Sequence, residues 1–438
     1  MAGGRLSPGR DFGWLWAAYG ASALGTGLAF SAFPLLAITV LHKGAAEVAS
    51  LAAVGAAVGA AVAVPLGPWV EFRRKRSVMI AMDLVRCAAL LSVPVAYALG
   101  RLSLAQLLLV SVVVAAADIT FGAAAGACLK ALVRPEALVT AQARLESTTW
   151  TATVVGPPLG GALISLLGPV ATVAADAVSY LLSAAGIRAI RGREPRPRRD
   201  IRRDIRRDNG PEGLRESRSG ARFGDLVEGW RHILADPMLR PLFFHTVLVN
   251  GLIMATAPLL AVLMLGPLGF APWQYGLAFA VPCLGGLLGA RLAPGLVDRF
   301  GRHRVLLVSG ALRVCWPIGL VFVHPGVTGL LLVMAVEFAL ITCIGVFNPV
   351  FSAHRLRLTE TSRVVRTLTA WSVTGKATTA TLTALWGLLA GLVGPRAAIA
   401  LAGVLLLATP LLLPRRESGT ESGTEAVTGA ATGIDTCK

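Results

Sequence analysis

Gly295-Leu-Val-Asp298-Arg299-Phe-Gly301-Arg302-His303-Arg304 closes an apolar run that begins near Trp273. The same pattern, an acid ending an apolar run and followed by basic residues, stands 227 positions earlier as Gly67-Pro-Trp-Val-Glu71-Phe-Arg73-Arg74-Lys75-Arg76. Fifteen residues beyond each acid an arginine sits inside the next apolar stretch: Arg86 after Glu71, Arg313 after Asp298. A further pair agrees, since Gly161…Gly168-Pro169 is matched by Gly387…Gly394-Pro395, 226 positions on. Duplicated halves in a hydrophobic chain point to a membrane carrier with a binding site at the interface between repeats.

Composition agrees. The 438 residues have a mean hydropathy of +0.68 and only 15% charged residues, against about 25% in soluble domains. Apolar blocks of about 20 residues match a bilayer core of roughly 30 Å. Twelve spans are predicted, with approximate edges 12–34, 48–70, 78–99, 104–128, 150–167, 169–187, 239–265, 273–296, 305–323, 326–347, 367–393 and 396–413. The predicted fold class is therefore all-α membrane: twelve transmembrane helices in two six-helix pseudo-symmetric bundles. Helices satisfy every backbone N–H and C=O within their own segment, and a closed barrel would show weak alternation instead of solid apolar blocks. The expected organisation is an N-terminal bundle (1–187), a basic linker with an amphipathic helix (188–238), a C-terminal bundle (239–413) and a disordered tail (414–438).

The net charge of +17 raises nucleic acid as a partner, but its placement argues otherwise. With the N-terminus inside, predicted cytoplasmic segments hold 34 of the 41 Lys+Arg and external ones three, Lys43, Arg101 and Arg396. That is the positive-inside rule, placing both termini in the cytoplasm of a multi-pass cell-membrane protein, with no role for nucleic acid. Five of the six cysteines lie in or at the edges of spans and none has CxxC spacing, so neither a disulfide frame nor a metal site is expected. The first span, preceded by Arg5 and Arg10, is too long for a signal-peptide core and should be retained. In the linker, Arg198–Asp208 repeats every four residues, which suits either a solvated tether or a helix on anionic headgroups. Phe223, Leu226, Val227, Trp230, Ile233 and Leu234 recur at helical spacing, predicting an interfacial helix with Trp230 at headgroup level.

Twelve spans, a 6+6 repeat, a long central loop and an acid–basic cluster after spans 2 and 8 resemble the major facilitator superfamily over residues 12–413. The second cluster keeps the family's Asp298, Arg299, Gly301, Arg302 and Arg304. The first keeps Gly67, Lys75 and Arg76, with Glu71 in place of Asp. The resemblance implies a cytoplasmic latch on the outward-open state, built from Glu71, Arg76, Arg86, Asp298, Arg299, Arg302, Arg304 and Arg313. Asp83 pairs with Arg86 across the helix face (i, i+3) in this reading. The other reading is that these charges fix topology and packing.

In span 5, Gly156-Pro157-Pro158-Leu159-Gly160-Gly161 resembles part of a drug-antiporter motif of the same superfamily, with Ala143 and Ala152 where upstream glycines would stand. Glycines at this spacing admit close helix approach, and the prolines interrupt the hydrogen-bond ladder. Met82-Asp-Leu-Val-Arg86, Ala175-Asp-Ala-Val-Ser-Tyr-Leu181 and Glu228-Gly-Trp230 are similar to the branch of macrolide-efflux proteins and the enterobactin exporter. That resemblance implies export of bulky, largely apolar compounds.

Ionisable residues at mid-depth are costly and read first as functional. Glu337 and Asp118 are the candidates for taking up and releasing a proton, which would leave the proton gradient as energy source and no cofactor. Arg291, Arg313 or a hydroxyl could instead pair with them. Asp176 is expected to bond a helix end or hydroxyl, and Lys376 to reach the cytoplasmic surface. Asn250, Met254, Phe30 and Phe33 are candidate walls of an apolar cavity, or packing residues. A monomer in the bilayer is expected, with protons and a hydrophobic small molecule as partners. The alternatives are a solute uptake carrier of the same fold or a non-transporting polytopic membrane protein. No Walker loop, HExxH, GxSxG or paired-histidine set supplies enzyme chemistry.

Overall fold

The computed structural model describes residues 9–29, 32–42, 54–55, 57–62, 64–66, 70, 73–191 and 221–412, and within them all regular structure is helical. Ten stretches of it are long and apolar enough to cross a membrane. In chain order the helices are α1 (Arg10–Leu28), α2 (Ala32–Thr39), α3 (Lys75–Ala98), α4 (Leu104–Leu132), α5 (Leu138–Arg188) and α6 (Ala221–Ala235). They continue with α7 (Leu239–Leu265), α8 (Pro272–Ala280), α9 (Cys283–Phe300), α10 (Arg302–Cys315), α11 (Val327–Leu358), α12 (Val364–Val393) and α13 (Pro395–Ala408). Most of the expected second span, with Glu71, falls outside the described residues, as do the arginine repeat of the linker and the tail from 413.

Glycine punctuates the helices where the sequence repeats. The 51 residues of α5 would run about 75 Å at 1.5 Å per residue, more than twice a bilayer core. They break at Gly168, whose φ of 83° no L side chain adopts without strain, immediately before Pro169. Gly394, φ 86°, separates α12 from α13 in the same way, immediately before Pro395. The internal repeat is thus a backbone repeat as well.

Helix ends depart from the hydropathy windows in a way that matters below. The fifth span was expected from 150 but its helix starts at Leu138. The tenth was expected to end at 347 but its helix runs to Leu358. Polar residues at these extensions, held on protein-facing sides, do not register as membrane helix.

One large apolar cluster joins residues from both sides of the linker, among them Phe12, Met79, Leu129 and Ile187 before it and Leu239, Phe347, Leu356 and Val364 after it. These residues sit near the helix ends that carry Arg10, Lys75, Lys130, Arg188, Arg240, Arg302 and Arg363, here called the basic end. Toward the other end the clusters separate. One holds only earlier residues, such as Leu36, Leu90, Val110 and Tyr180; another only later ones, such as Leu260, Leu263, Leu330 and Ile399. Among the described residues the halves share an apolar core at the basic end, and each of the two clusters toward the opposite end draws on one half.

The helix that follows the linker also has protein partners. α6 lies against α12: Trp230 Nε1 donates to Thr374 Oγ1 at 2.8 Å, Glu228 pairs with Arg366, and Ile233 is fully buried.

The span-5 glycines do admit a close neighbour, but not all of them. A Cβ on Gly156 would lie 2.7 Å from the backbone of Gly27 in α1, and one on Gly160 would run into the Leu28 carbonyl, whereas Gly161 faces open space. Only residues four apart share the α1 face; Gly161 is rotated off it. Gly156→Ala should therefore destabilise the bundle by about 1–3 kcal/mol, as overpacking does, while Gly161→Ala should be neutral. Thermal unfolding of the two variants in detergent checks this, and equal midpoints would overturn it.

Candidate functional site

Between the halves lies a cavity of about 1000 Å³. Its walls come from α1 (Tyr19, Ser22, Thr26), α4 (Asp118, Phe121, Gly122), α5 (Glu146, Thr149, Pro157), α8 and α9 (Phe279, Cys283), α11 (Arg355) and α12 (Leu368, Ser372, Lys376). At the basic end its floor is tight. Leu368 occupies the space a Cβ on Gly126 would need, Lys130 Nζ donates to the Thr359 carbonyl, and Asn348 Nδ2 donates to Glu146 Oε1 at 2.8 Å. All three contacts join the two halves.

Arg86 organises one wall. It is 2% exposed, donates to Asp83 Oδ1 on its own helix at 2.5 Å and reaches Asp118 Oδ1 on α4 at 3.4 Å. The rings of Phe121 and Tyr180 stand 4.5 and 4.4 Å from its Cζ, and Tyr180 shares a 2.9 Å hydrogen bond with Thr26 of α1. A guanidinium between two rings and two carboxylates has its charge compensated, although its Nε is buried without a hydrogen-bond partner. Asp118 is 60% exposed to the cavity, and its second oxygen lies 4.0 Å from Lys376 Nζ on α12. The carboxylate of one half thus sits between a cation of its own half and one of the other.

Arg86 and Arg313, expected inside the apolar stretch that follows each loop acid, are buried within their halves, because fifteen residues past that acid carry the chain deep into the next helix. Asp298 is exposed and makes no ion pair among the described residues; Arg299 lies over the Phe300 ring at 5.2 Å, and Arg304 is exposed. Arg76 donates to the Ile190 carbonyl at 3.1 Å, and Arg302 lies half-buried at the start of α10. Lys376 lines the cavity and does not reach the basic surface.

Asn250 and Met254 are exposed on α7 and absent from the cavity wall, since adjacent Gly251 turns the inner face of that helix onto Thr378 and Leu382 of α12. Phe33 packs with the outer cluster of the first half, and Phe30 lies outside the described residues. Asp176 accepts a bond from the Ser179 hydroxyl, 3.3 Å from Oδ1. Glu337 is buried on α11 behind the wall, in the neighbourhood of Cys283 and Tyr275, with no hydrogen bond or ion pair to any described residue.

Sequence reasoning missed Glu146 and Arg355. Glu146 accepts from Trp150 Nε1 at 3.1 Å and from Asn348, and no cation pairs with it among the described residues. Arg355 stacks over Phe351 and Trp371 at 5.1 and 5.0 Å, its Nε buried without a partner. Both fall in the helical extensions beyond the apolar windows. The one available signal was helical phase: Glu146 stands three residues before Thr149 of the cavity wall, and Arg355 eighteen after the candidate Glu337, about five turns.

The sequence profile described as Major Facilitator Superfamily matches residues 15–353. The chain is 26% identical over 312 residues to the multidrug efflux pump Tap of Mycolicibacterium fortuitum, covering 68% of this chain and 70% of that one. It is 25% identical over 260 residues to the uncharacterized MFS-type transporter YvqJ of Bacillus subtilis (strain 168), covering 59% of each. Among solved structures, a bacterial homologue of the iron transporter ferroportin in an outward-facing state superposes with a TM-score of 0.71 at 18% identity, covering 92% of this chain and 98% of its own. The E. coli fucose:proton symporter FucP gives 0.64 at 12%, covering 93% and 98%. At such identities the superpositions speak to the fold.

Proposed function

The chain belongs to the Major Facilitator Superfamily of membrane transporters, not to an enzyme class, and from that premise we propose that it exports bulky, largely apolar small molecules in exchange for protons. The observation that carries this reading is the cavity of about 1000 Å³ between the halves, mostly apolar, with Asp118 and Glu146 in its walls and Glu337 behind them. A volume of that size suits a drug-sized amphiphile. Carboxylates at that depth can exchange protons with the compartment the cavity faces.

The mechanism we propose is alternating access in a carrier of twelve spans, six on each side of the linker. With both termini and the basic end in the cytoplasm of a cell-membrane carrier, a shared core at that end and separate clusters at the other support an outward-facing reading of this state. Return to the inward-facing state requires the Glu146–Asn348 and Lys130–Thr359 bonds and the Gly126–Leu368 contact to open. Proton entry from outside neutralises a carboxylate, and the switch carries it inward. Relatedness to a multidrug efflux pump favours export over uptake. The carrier works as a monomer with no resident cofactor.

Inverted membrane vesicles test the direction and the coupling together. Energised vesicles containing the protein should accumulate a lipophilic dye or drug, and a protonophore should discharge it. Accumulation that survives the protonophore, or appears only in right-side-out vesicles, would sink the proposal.

A further inference from the structure

Among the described residues, the charged side chains of the cavity wall are Arg86, Asp118, Glu146, Arg355 and Lys376. All but one are answered within the protein. Asp118 lies between Arg86 and Lys376, and Arg86 also holds Asp83. Glu146 accepts hydrogen bonds from Trp150 and Asn348. The guanidinium of Arg355 has neither an ion pair nor a hydrogen bond to any described residue.

A carboxylate without a partner can discard its charge by taking up a proton; an arginine cannot. The rings of Phe351 and Trp371, 5.1 and 5.0 Å from its Cζ, offset part of that permanent charge. The last turn of α11, where Arg355 stands, favours a cation through the helix dipole. Both rings are buried, at 7% and 6% exposure, and hold the guanidinium in place. Its Nε is closed in, but Nη1 and Nη2 keep accessible surface and the residue borders the cavity, so there is room beside them. Two neutral polar side chains at the basic end of the same wall are also uncommitted. Ser352 stands one turn before Arg355 on the same face of α11, and Gln142 one turn before Glu146 on α5; neither side chain is hydrogen-bonded to a described residue.

We propose that the exported compound is an amphiphile carrying an acidic group, a carboxylate or sulfonate, that docks on the Nη edge of Arg355. Its apolar body lies along Ile119, Phe279 and Leu368 of the wall. The proposal rests on the export reading and narrows its substrate class. A carboxylate accepting two parallel N–H bonds is among the strongest contacts an arginine makes, and Ser352 and Gln142 supply further donors. A cationic compound would find Asp118 already offset by two cations.

Equilibrium binding to the full-length protein in nanodiscs, with empty nanodiscs as the blank and no ion gradient, tests this. The probes are a dansyl-labelled long-chain fatty acid and its methyl ester, at mildly alkaline pH where the acid is ionised. The acid should bind about tenfold tighter than the ester, the worth of one charge-assisted contact. Arg355→Gln should erase that preference by weakening the acid about tenfold while the ester stays within about twofold. Arg355→Lys, which keeps the charge without the fork, should restore part of it. A wild type that binds the ester as tightly as the acid overturns the proposal whether or not the variants fold. So does an Arg355→Gln variant that weakens both probes alike, which would make the guanidinium a structural group at the end of α11. With no gradient applied, failure here leaves protonophore-sensitive export standing, and vesicles that accumulate no drug leave the binding preference standing.

Discussion

Replacing Arg86 by glutamine should lower the stability of the folded carrier by about 3–5 kcal/mol, the cost of leaving one member of a buried ion pair behind. The stranded group is Asp83, which is 0% exposed and whose Oδ1 has Arg86 as its ion-pair partner. Loss of the guanidinium also empties the space between the Phe121 and Tyr180 rings. Two comparisons separate this from a general sensitivity of the region. Asp118→Asn and Lys376→Gln break the exposed part of the same network, where each pair contributes about 0–1 kcal/mol, and should barely move the midpoint of chemical unfolding. Asp83→Asn combined with Arg86→Gln should recover part of the loss, because it removes the unpaired charge. If Arg86→Gln unfolds with the wild-type midpoint, the pair is not the anchor of the first half.

The second large effect is functional. Glu337→Gln should abolish proton-driven accumulation while leaving substrate binding within a few-fold of wild type. One charge crossing the membrane field contributes about 2.3 kcal/mol per 100 mV, which is about fiftyfold in steady accumulation. A carrier that cannot load its proton forfeits that drive. Glu337 is the acid chosen because it is buried without a partner among the described residues, so nothing competes for its charge state. Asp118 is held by Arg86 and Lys376, and Asp118→Asn should reduce accumulation less. Counterflow in unenergised vesicles should persist in Glu337→Gln, since exchange of substrate needs no net drive. Should Glu146→Gln abolish accumulation while Glu337→Gln transports normally, the proton site belongs on the cavity floor, next to Asn348.

Much of the fold is legible in the chain without coordinates. Blocks of about 20 apolar residues can only be helices in lipid. The offset of 227 announces the repeat, and Gly168 and Gly394 break the backbone where the sequence repeats them. The asymmetry of basic residues marks one end of the bundle. The i, i+3 spacing of Asp83 and Arg86 was enough to expect their pairing, because that contact is made within one helix.

What tertiary structure alone decided is the set of contacts between helices. Asp118 meets Lys376, Glu146 meets Asn348 and Trp230 meets Thr374 across more than a hundred residues of chain, set by how the helices cross and rotate. Hydropathy averages over a turn and is blind to rotation, so it left Asn250 and Met254 open between cavity wall and packing, and no α7 residue lines the cavity. It also cut Glu146 and Arg355 off from helices that continue past the last apolar residue. Helix formation in a membrane is a local demand of the backbone, answered residue by residue. A binding cavity is the space left when many such helices lean together, and no single segment encodes it.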